Sequence, residues 1–424
     1  MSNYALPPSG EYWRQMALIG LLFFLFGFVT WLNGSLIPFL KLACDLQYEW
    51  QALLVTSAFY LSYFFLALPA STILGRTGFK NGMAWGLLVM AVGCLLFVPA
   101  AQTRIYGLFL AGLFVQGMGL SILQTAANPY VSIIGPLESA AQRISIMGIC
   151  NKVAGILSPL ILSSIVLRGA QEIEVRLAAI SDAEERIELL NALARRAIPP
   201  YIAMAAALVL LALFIRRSPL PDVHPAAGEA ADTSVAEKRR LWQFPHLWLG
   251  ALAIFFYVGA EVMAGDGIVL YGRFLGFSID QTKYFTSLTL SGMLVGYLLS
   301  IALIPRHLSQ ERFLLYSALL GIGLSLATYA TSGYMALLFV ALLGLANAVM
   351  WPAIFPLAIA GLGRLTQLGS AILIMGIVGG AILPQLYGFL ADHPAVGPRI
   401  ALQAVLLPAY GYILFYAWRG HAYR

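Results

Sequence analysis

The chain has 424 residues, of which 60% are apolar and only 10% are charged, and its formal net charge is +6. Because an ordinary soluble domain carries about 25% charged residues, this composition and a mean hydropathy of +0.83 exclude a water-soluble fold. Uninterrupted apolar runs of about 20 residues are typical of membrane-spanning helices and unlike the alternating ~10-residue strands of a barrel. The sequence therefore predicts an all-α polytopic membrane protein.

Twelve apolar segments lie between charges and turn residues. We predict them as transmembrane helices, six on each side of a polar middle, at about 16–39, 50–74, 83–101, 105–134, 142–167, 199–215, 246–271, 284–304, 313–331, 333–360, 366–391 and 399–418. The polar first fifteen residues contain no hydrophobic core of a cleaved signal peptide, so we expect the N-terminus to be mature as written.

Two polar segments divide this series. Residues 168–198 contain EERIELLNALARR, with apolar residues at helical spacing and charges of both signs, which predicts a short amphipathic helix outside the bilayer. Residues 216–245 hold three prolines and a basic run, as a linker does. We therefore predict an N-terminal six-helix bundle over 1–215, a cytoplasmic linker, and a C-terminal six-helix bundle over 246–424.

The two bundles carry a similar internal string. Ile-Met-Gly-Ile occurs at 146–149 in the fifth segment and again at 374–377 in the eleventh, 228 residues later, and each is followed by a proline. With the symmetric layout, this favours two parallel repeats that rock about a central site, the architecture of the major facilitator type. Lys and Arg are concentrated in the segments on the side of the chain ends, which predicts that both termini are cytoplasmic. No basic cluster is interleaved with aromatic residues, so we expect lipid and no nucleic acid as a partner.

Ionisable residues at membrane depth are the most informative candidates, because each costs at least about 2.5 kcal/mol to place there. They are Lys152 in the fifth segment and Glu261 and Asp266 in the seventh. The two acids could form a coupling-cation site or accept sugar hydroxyls. Alternatively, either acid could pair with Lys152, or Asp266 could lie at a wet outer mouth. Lys152 could equally form a structural pair or contact substrate.

Amide side chains at membrane depth form a second group of candidates for binding a hydroxylated substrate. They are Asn33, Gln124, Asn128, Asn151 and Asn347. Trp31 and Trp351 lie nearby in the sequence as possible stacking surfaces, and the alternative role of each amide is an interhelical hydrogen bond. The five histidines lie in loops or at helix ends, which excludes an intramembrane metal site. No nucleophile elbow, phosphate loop or zinc-protease motif occurs, so we expect neither an enzyme nor a cofactor beyond a coupling ion.

Three strings resemble a known family. The segment 75–82 is similar to the loop signature of the major facilitator superfamily, although the usual acid before Arg76 is absent. QTAANPY at 124–130 and ESAAQRISIMGICNK at 138–152 resemble the fucose:proton symporter family, and its glucose/galactose transporter branch most closely. The resemblance extends over essentially the whole chain. It implies a secondary active transporter in a bacterial plasma (inner) membrane.

Two positions depart from the fucose branch, whose members carry an acid at each. Here they hold Gly34 and Gln124, which cannot titrate. Proton coupling by that route is excluded, and the resemblance to the glucose/galactose branch favours sodium over the proton. We therefore expect a monomeric symporter that imports a glucose/galactose-type hexose or N-acetylglucosamine with a cation, by alternating access. The alternative is an uncoupled sugar uniporter or efflux carrier of the same fold.

Overall fold

A computed structural model of the protein describes residues 9–133, 140–218, 241–304, 308–362 and 365–423. All regular structure in these ranges is helical. Twelve helical segments are long and apolar enough to cross a membrane, which confirms the all-α fold and the number of spans. Large apolar side chains on the outside of the bundle, such as Phe65 and Leu210, are exposed as lipid contact requires.

The N-terminal half, residues 9–218, forms six spans and two short helices. Its elements are α1 (Ser9–Thr30), α2 (Asn33–Ala43), α3 (Glu49–Leu95), α4 (Phe97–Thr103), α5 (Tyr106–Ile133), α6 (Ala140–Val166), α7 (Ala170–Ala179), α8 (Ala183–Arg195) and α9 (Ile198–Arg217). Helix α3 contains the second and third spans, which meet at Gly78, the one residue inside it with non-helical backbone angles (φ 75°). The segment 75–82, which resembles a loop signature, is thus helical except at a single glycine, which tolerates this positive φ.

The C-terminal half, residues 241–423, forms the other six spans. Its elements are α10 (Pro245–Gly265), α11 (Gly267–Phe274), α12 (Ile279–Thr282), α13 (Phe285–Leu303), α14 (Gln310–Ala330), α15 (Gly333–Asn347), α16 (Met350–Ile359), α17 (Thr366–Met375), α18 (Gly379–Asp392) and α19 (Gly397–Trp418). Most of the predicted linker, residues 219–240, lies outside the described residues, as does the segment 134–139.

The polar insert at 168–198 differs from its prediction, because it forms two short helices, α7 and α8, and not one. The Asp182 side chain caps α8 by accepting a hydrogen bond from the Glu184 N–H. Ion pairs link the insert to both halves of the chain: Arg186 of α8 bonds to Asp45 in the N-terminal half, and Glu174 of α7 bonds to Arg273 in the C-terminal half. The insert is therefore a strap between the halves.

The first span of each half is broken. The first span is interrupted at Trp31 and Leu32, between α1 and α2, and the seventh at Asp266, between α10 and α11. Interrupted helices at matching positions of two repeats are typical of substrate and ion sites in transporters. Gly265 and Gly267 flank the second break, whereas the first lies at two bulky residues.

Both described chain ends lie on one face of the bundle, since the number of spans is even, and the His246 N–H at the start of α10 donates to the Tyr423 carbonyl. We call this the terminal face and the opposite one the distal face. At the distal face, the Asp392 carboxylate at the end of α18 accepts hydrogen bonds from the Glu49 and Trp50 N–H groups at the start of α3, each at 3.2 Å. The carboxylate thus caps a helix of the other half, and the Trp50 and Phe389 rings stack beside it. The cap holds the halves together at the distal face.

We expect Asp392→Asn to open the distal face more often, because the amide keeps one acceptor but loses the charge that favours a helix N-terminus. A loss of about 1 kcal/mol corresponds to a roughly fivefold change in population. The measurement is the rate at which a membrane-impermeant maleimide labels a cysteine at Ser57, whose hydroxyl bonds to the Ala381 carbonyl across the same contact.

Glu311→Gln is the matched control, since the Glu311 carboxylate lies in the first turn of α14, at a helix N-terminus inside the C-terminal half. The labelling is done in a protein whose three native cysteines are replaced by serine. Of these, Cys44 would label slowly at neutral pH even if it were kept, because burial raises the pKa of its thiol to about 11. Equal labelling rates in the two variants would show that Asp392 does not restrain the distal face.

Candidate functional site

A cavity of about 140 Å³ lies between the two halves. Helices from both halves contribute its walls: α1, α3, α5 and α6 from one, and α10, α13 and α16 from the other. Its lining residues are Phe23, Phe26, Thr30, Trp31, Tyr60, Tyr63, Gln124, Gly148, Asn151, Lys152, Tyr257, Val258, Glu261, Tyr297, Trp351, Pro352 and Ile377. Each of the two Ile-Met-Gly-Ile strings provides one of these residues, Gly148 in the first and Ile377 in the second. The repeated strings of the two halves therefore both lie at the cavity.

An ion pair across the halves lies in the cavity wall. The Lys152 ammonium on α6 contacts a Glu261 carboxylate oxygen on α10 at 3.0 Å, and both side chains are about nine-tenths buried. The ammonium also lies over the Trp31 ring, 4.5 Å from its centroid, which adds a cation–π attraction. Pairing with Lys152, one of the two roles considered for Glu261, is therefore present. The pair places a hydrogen-bond donor and an acceptor for hydroxyl groups beside an aromatic face.

Two of the predicted amides lie in the same wall. Gln124 on α5 donates a hydrogen bond to the Tyr63 hydroxyl at 3.1 Å, and Asn151 on α6 donates to the Phe23 carbonyl at 3.5 Å. Each amide nitrogen is thereby oriented by the protein. Among the described residues, neither amide oxygen receives a hydrogen bond, so both oxygens are available as acceptors for a substrate hydroxyl.

Aromatic rings form the rest of the surface. Trp351 lies in the wall with its ring stacked on that of Phe355, 5.5 Å between centroids. Four tyrosines lie there too, namely Tyr60, Tyr63, Tyr257 and Tyr297. The sequence analysis missed these tyrosines, although Tyr257 comes one helical turn before Glu261 on the same helix. Flat rings interspersed with a few fixed polar groups suit a ring-shaped polar solute.

Three predicted amides are not brought to the described lining. Asn347 is fully buried on α15 and accepts a hydrogen bond from the Tyr410 hydroxyl of α19 at 2.9 Å, an interhelical bond inside the C-terminal half. Asn33 is fully buried at the first residue of α2 and is not among the lining residues. The side chain of Asn128 lies outside the described part of the chain. Substrate binding by these three residues stays a prediction.

The second intramembrane acid has different surroundings from the first. Asp266 is fully buried at the break in the seventh span, and neither of its carboxylate oxygens has a hydrogen-bond partner among the described residues. It is not part of the cavity lining. The alternative of a wet outer mouth is thus wrong for Asp266, since the side chain does not reach solvent. The two acids, grouped together from the sequence, occupy distinct environments.

The sequence of this chain matches a family model over most of its length. The model, described as Major Facilitator Superfamily, matches residues 19–384. The chain belongs to the Major Facilitator Superfamily. Membership confirms the fold expected from the resemblance and makes this multi-pass membrane protein a transporter and not an enzyme.

Superfamily relatives match the chain along nearly its whole length. It is 37% identical to a glucose/galactose transporter of Brucella abortus (strain 2308), over 97% of this chain and 95% of the relative. It is 31% identical to the L-fucose-proton symporter of Escherichia coli (strain K12), over 95% and 91%. The fucose and glucose/galactose resemblance is thereby confirmed.

Solved structures of superfamily members agree. A crystal structure of the Escherichia coli fucose:proton symporter in the outward conformation matches with a TM-score of 0.75 at 29% identity, over 96% of this chain and 99% of that one. A bacterial homologue of the lysosomal transporter Spinster matches with a TM-score of 0.66 at 16% identity, over 98% and 99%. The second match supports the fold alone.

We expect Lys152→Met to destabilise this transporter strongly, because the change leaves the Glu261 carboxylate buried without a partner. Breaking one side of a buried pair typically costs about 3–5 kcal/mol. The double variant Lys152→Met/Glu261→Gln removes both charges and is expected to recover much of the loss. The measurement is the melting temperature of the purified protein in detergent.

Arg176→Met serves as the control for this prediction, since it breaks the exposed ion pair with Glu185 and exposed pairs contribute little. A double variant no more stable than Lys152→Met alone would contradict a cost that arises from the unpaired carboxylate.

Proposed function

We propose that the protein is a secondary active transporter that imports a monosaccharide together with a cation. The observation that carries the proposal is the cavity between the halves, where Gln124, Asn151, Lys152 and Glu261 offer hydrogen bonds beside the ring of Trp351. A neutral sugar needs several paired donors and acceptors on a stacking surface, and this wall supplies both. The name of the Brucella relative points to the same solute class, a glucose/galactose-type hexose. We propose N-acetylglucosamine as a further candidate.

Alternating access in this proposal works through the contact between the halves. The distal face corresponds to the outside of the bacterial plasma membrane, and both termini are cytoplasmic, in keeping with the Lys and Arg distribution of the loops. Opening of the cavity to the outside then requires the Asp392 cap on α3 to separate. Lys152 and Glu261 also lie on opposite sides of the interface, so a sugar that bridges them favours the arrangement in which the halves are close. The transporter acts as a monomer.

The solute is tested by counterflow in proteoliposomes of the full chain, with labelled glucose, galactose, fucose and N-acetylglucosamine. We expect exchange of a hexose or N-acetylhexosamine, and a several-fold higher half-saturating concentration for Gln124→Ala and Asn151→Ala, since each lost hydrogen bond costs about 0.5–1.5 kcal/mol. Gln403→Ala is a matched control, because this amide is about nine-tenths buried on α19 and is not part of the lining. Exchange of none of these sugars by the wild-type protein would contradict the proposal.

Cation coupling is tested separately from sugar binding. We expect Asp266→Asn to abolish accumulation driven by an imposed cation gradient and to leave counterflow largely intact, because exchange needs the sugar site but no net ion movement. Glu261→Gln should weaken both processes, since Glu261 lines the sugar cavity. Glu185→Gln, which removes a carboxylate from the exposed ion pair with Arg176, is the control.

An uncoupled uniporter or efflux carrier of the same fold is the alternative function. It requires that the wild-type protein equilibrate the sugar without concentrating it under either a sodium or a proton gradient. The buried, unpartnered carboxylate of Asp266 favours the coupled transporter over this alternative, because a charge at that depth is costly unless a cation neutralises it in part of the cycle.

A further inference from the structure

Asp266 lacks the neutralisation that Glu261 has. Its carboxylate is fully buried and unpartnered among the described residues, and the Lys152 ammonium is bonded to Glu261. Asp266 lies between the carbonyl end of α10, which attracts cations, and the N–H end of α11, with which its side chain makes no capping hydrogen bond. A cation is therefore the group that this position lacks.

The first span approaches Asp266 at Gly34. The backbone amide of Gly34 faces the Asp266 carboxylate, in a geometry short of a hydrogen bond. A Cβ added to Gly34 would lie 2.1 Å from the Thr286 Oγ1 on α13, so only glycine fits this contact. One residue of the first span thus meets both an acid of the seventh span and a hydroxyl of the eighth.

The Thr286 hydroxyl differs from its neighbours in having no partner. The hydroxyls of Ser287, Thr289 and Ser291 on the same helix all donate to backbone carbonyls, at 2.7–2.8 Å. The Thr286 Oγ1 is fully buried and makes no hydrogen bond within the described residues. A threonine in a helix ordinarily satisfies its hydroxyl on a nearby carbonyl, so an unsatisfied hydroxyl that packs against Gly34 is free to act as a ligand group.

Asn33 supplies a third unsatisfied side chain. It is the residue before Gly34, it is fully buried, and neither its oxygen nor its nitrogen has a partner among the described residues. Asp266 and Thr286, from the seventh and eighth spans, thus both approach Gly34, and Asn33 precedes that glycine in the first span. Each side chain would cost free energy to bury unsatisfied, and one bound cation could be coordinated by an oxygen of each.

We propose that Asp266, Thr286 and Asn33 form a sodium site that closes between the two halves of the transporter. This inference rests on the proposed function and names the coupling ion and its ligands. A proton needs only the carboxylate, whereas a hard metal ion needs several oxygens, and the hydroxyl and amide oxygens add to the acid. The ion belongs to the class of monovalent cations held by neutral oxygens and one carboxylate.

The position of the site explains how sodium and sugar act on the same conformation. Asn33 belongs to the N-terminal half, and Asp266 and Thr286 belong to the C-terminal half, so the ion draws the halves together as a sugar does in the cavity. Trp31 connects the two sites, since its ring packs on Gly265 next to Asp266 and also lies under the Lys152 ammonium. Two ligands that stabilise one arrangement of the halves increase each other's affinity.

The test compares two threonines of α13 in the full-length protein. Thr286→Val removes the unpartnered hydroxyl, and Thr289→Val removes a buried hydroxyl that is already bonded to the Ala264 carbonyl. The first readout is the rise of the melting temperature with NaCl, against choline chloride at equal ionic strength and without sugar. The second is the sodium dependence of labelled hexose uptake into proteoliposomes. Counterflow at equal sodium on both sides reports sugar binding independently.

We expect sodium to stabilise the wild-type protein and Thr289→Val alike, and the half-saturating sodium concentration of Thr286→Val to rise about tenfold, as for loss of one ligand to a charged partner. Asp266→Asn should lose the sodium response altogether. Equal shifts in the two threonine variants, or a wild-type protein that responds to pH and not to sodium, would overturn the sodium site. Intact counterflow in that case would leave the proposed sugar transport standing, whereas absent counterflow would refute the transport itself.

Discussion

A charge at membrane depth must be neutralised, and this protein neutralises its buried ammonium across the interface between its two halves. Lys152 and Glu261 come from different halves and meet at 3.0 Å in the wall of the cavity. Such a pair repays its desolvation only with close geometry and further partners, and the Trp31 ring is one of them. The placement of the cavity follows from this requirement, because the pair can be buried only where the halves pack against each other.

In the proposed transporter, the two intramembrane acids have different roles. Glu261 is paired with Lys152 and lies among the aromatic rings of the cavity, whereas Asp266 has no partner among the described residues and lies at the break in the seventh span. A paired carboxylate exchanges cations less readily than an unpaired one, so the proposed coupling assigns the cation to Asp266. The break in the first span brings Asn33 and Gly34 to the same level, so the broken helices join the sugar cavity to the second acid.

Hydropathy and the scarcity of intramembrane charge identify much of this molecule from its sequence. The number of spans follows from composition, and Lys152 and Glu261 are recognisable because a charge is so costly in lipid. The amides are harder, because the cost of burying an amide is low enough that many helix faces accept one. Asn347 accepts a hydrogen bond from Tyr410 and is not part of the cavity lining, and the packing of α15 within the C-terminal half decides that rotation. The cavity tyrosines were missed for the same reason, because the sequence does not distinguish a tyrosine that lines the cavity from one at the membrane–water interface.

The strap formed by α7 and α8 has a consequence for the balance between the two faces of the bundle. Two partly exposed ion pairs link the strap to the halves, Arg186 with Asp45 and Arg273 with Glu174. Dissolved salt weakens such pairs, since the screening length is about 8 Å at physiological ionic strength. The Lys152–Glu261 pair is shielded from the medium. The ionic strength at the distal face therefore sets how firmly the strap holds the halves, and it does not act on the cavity. Added salt, unlike a neutral osmolyte, would make the distal face open more readily, while the choice among solutes would remain constant.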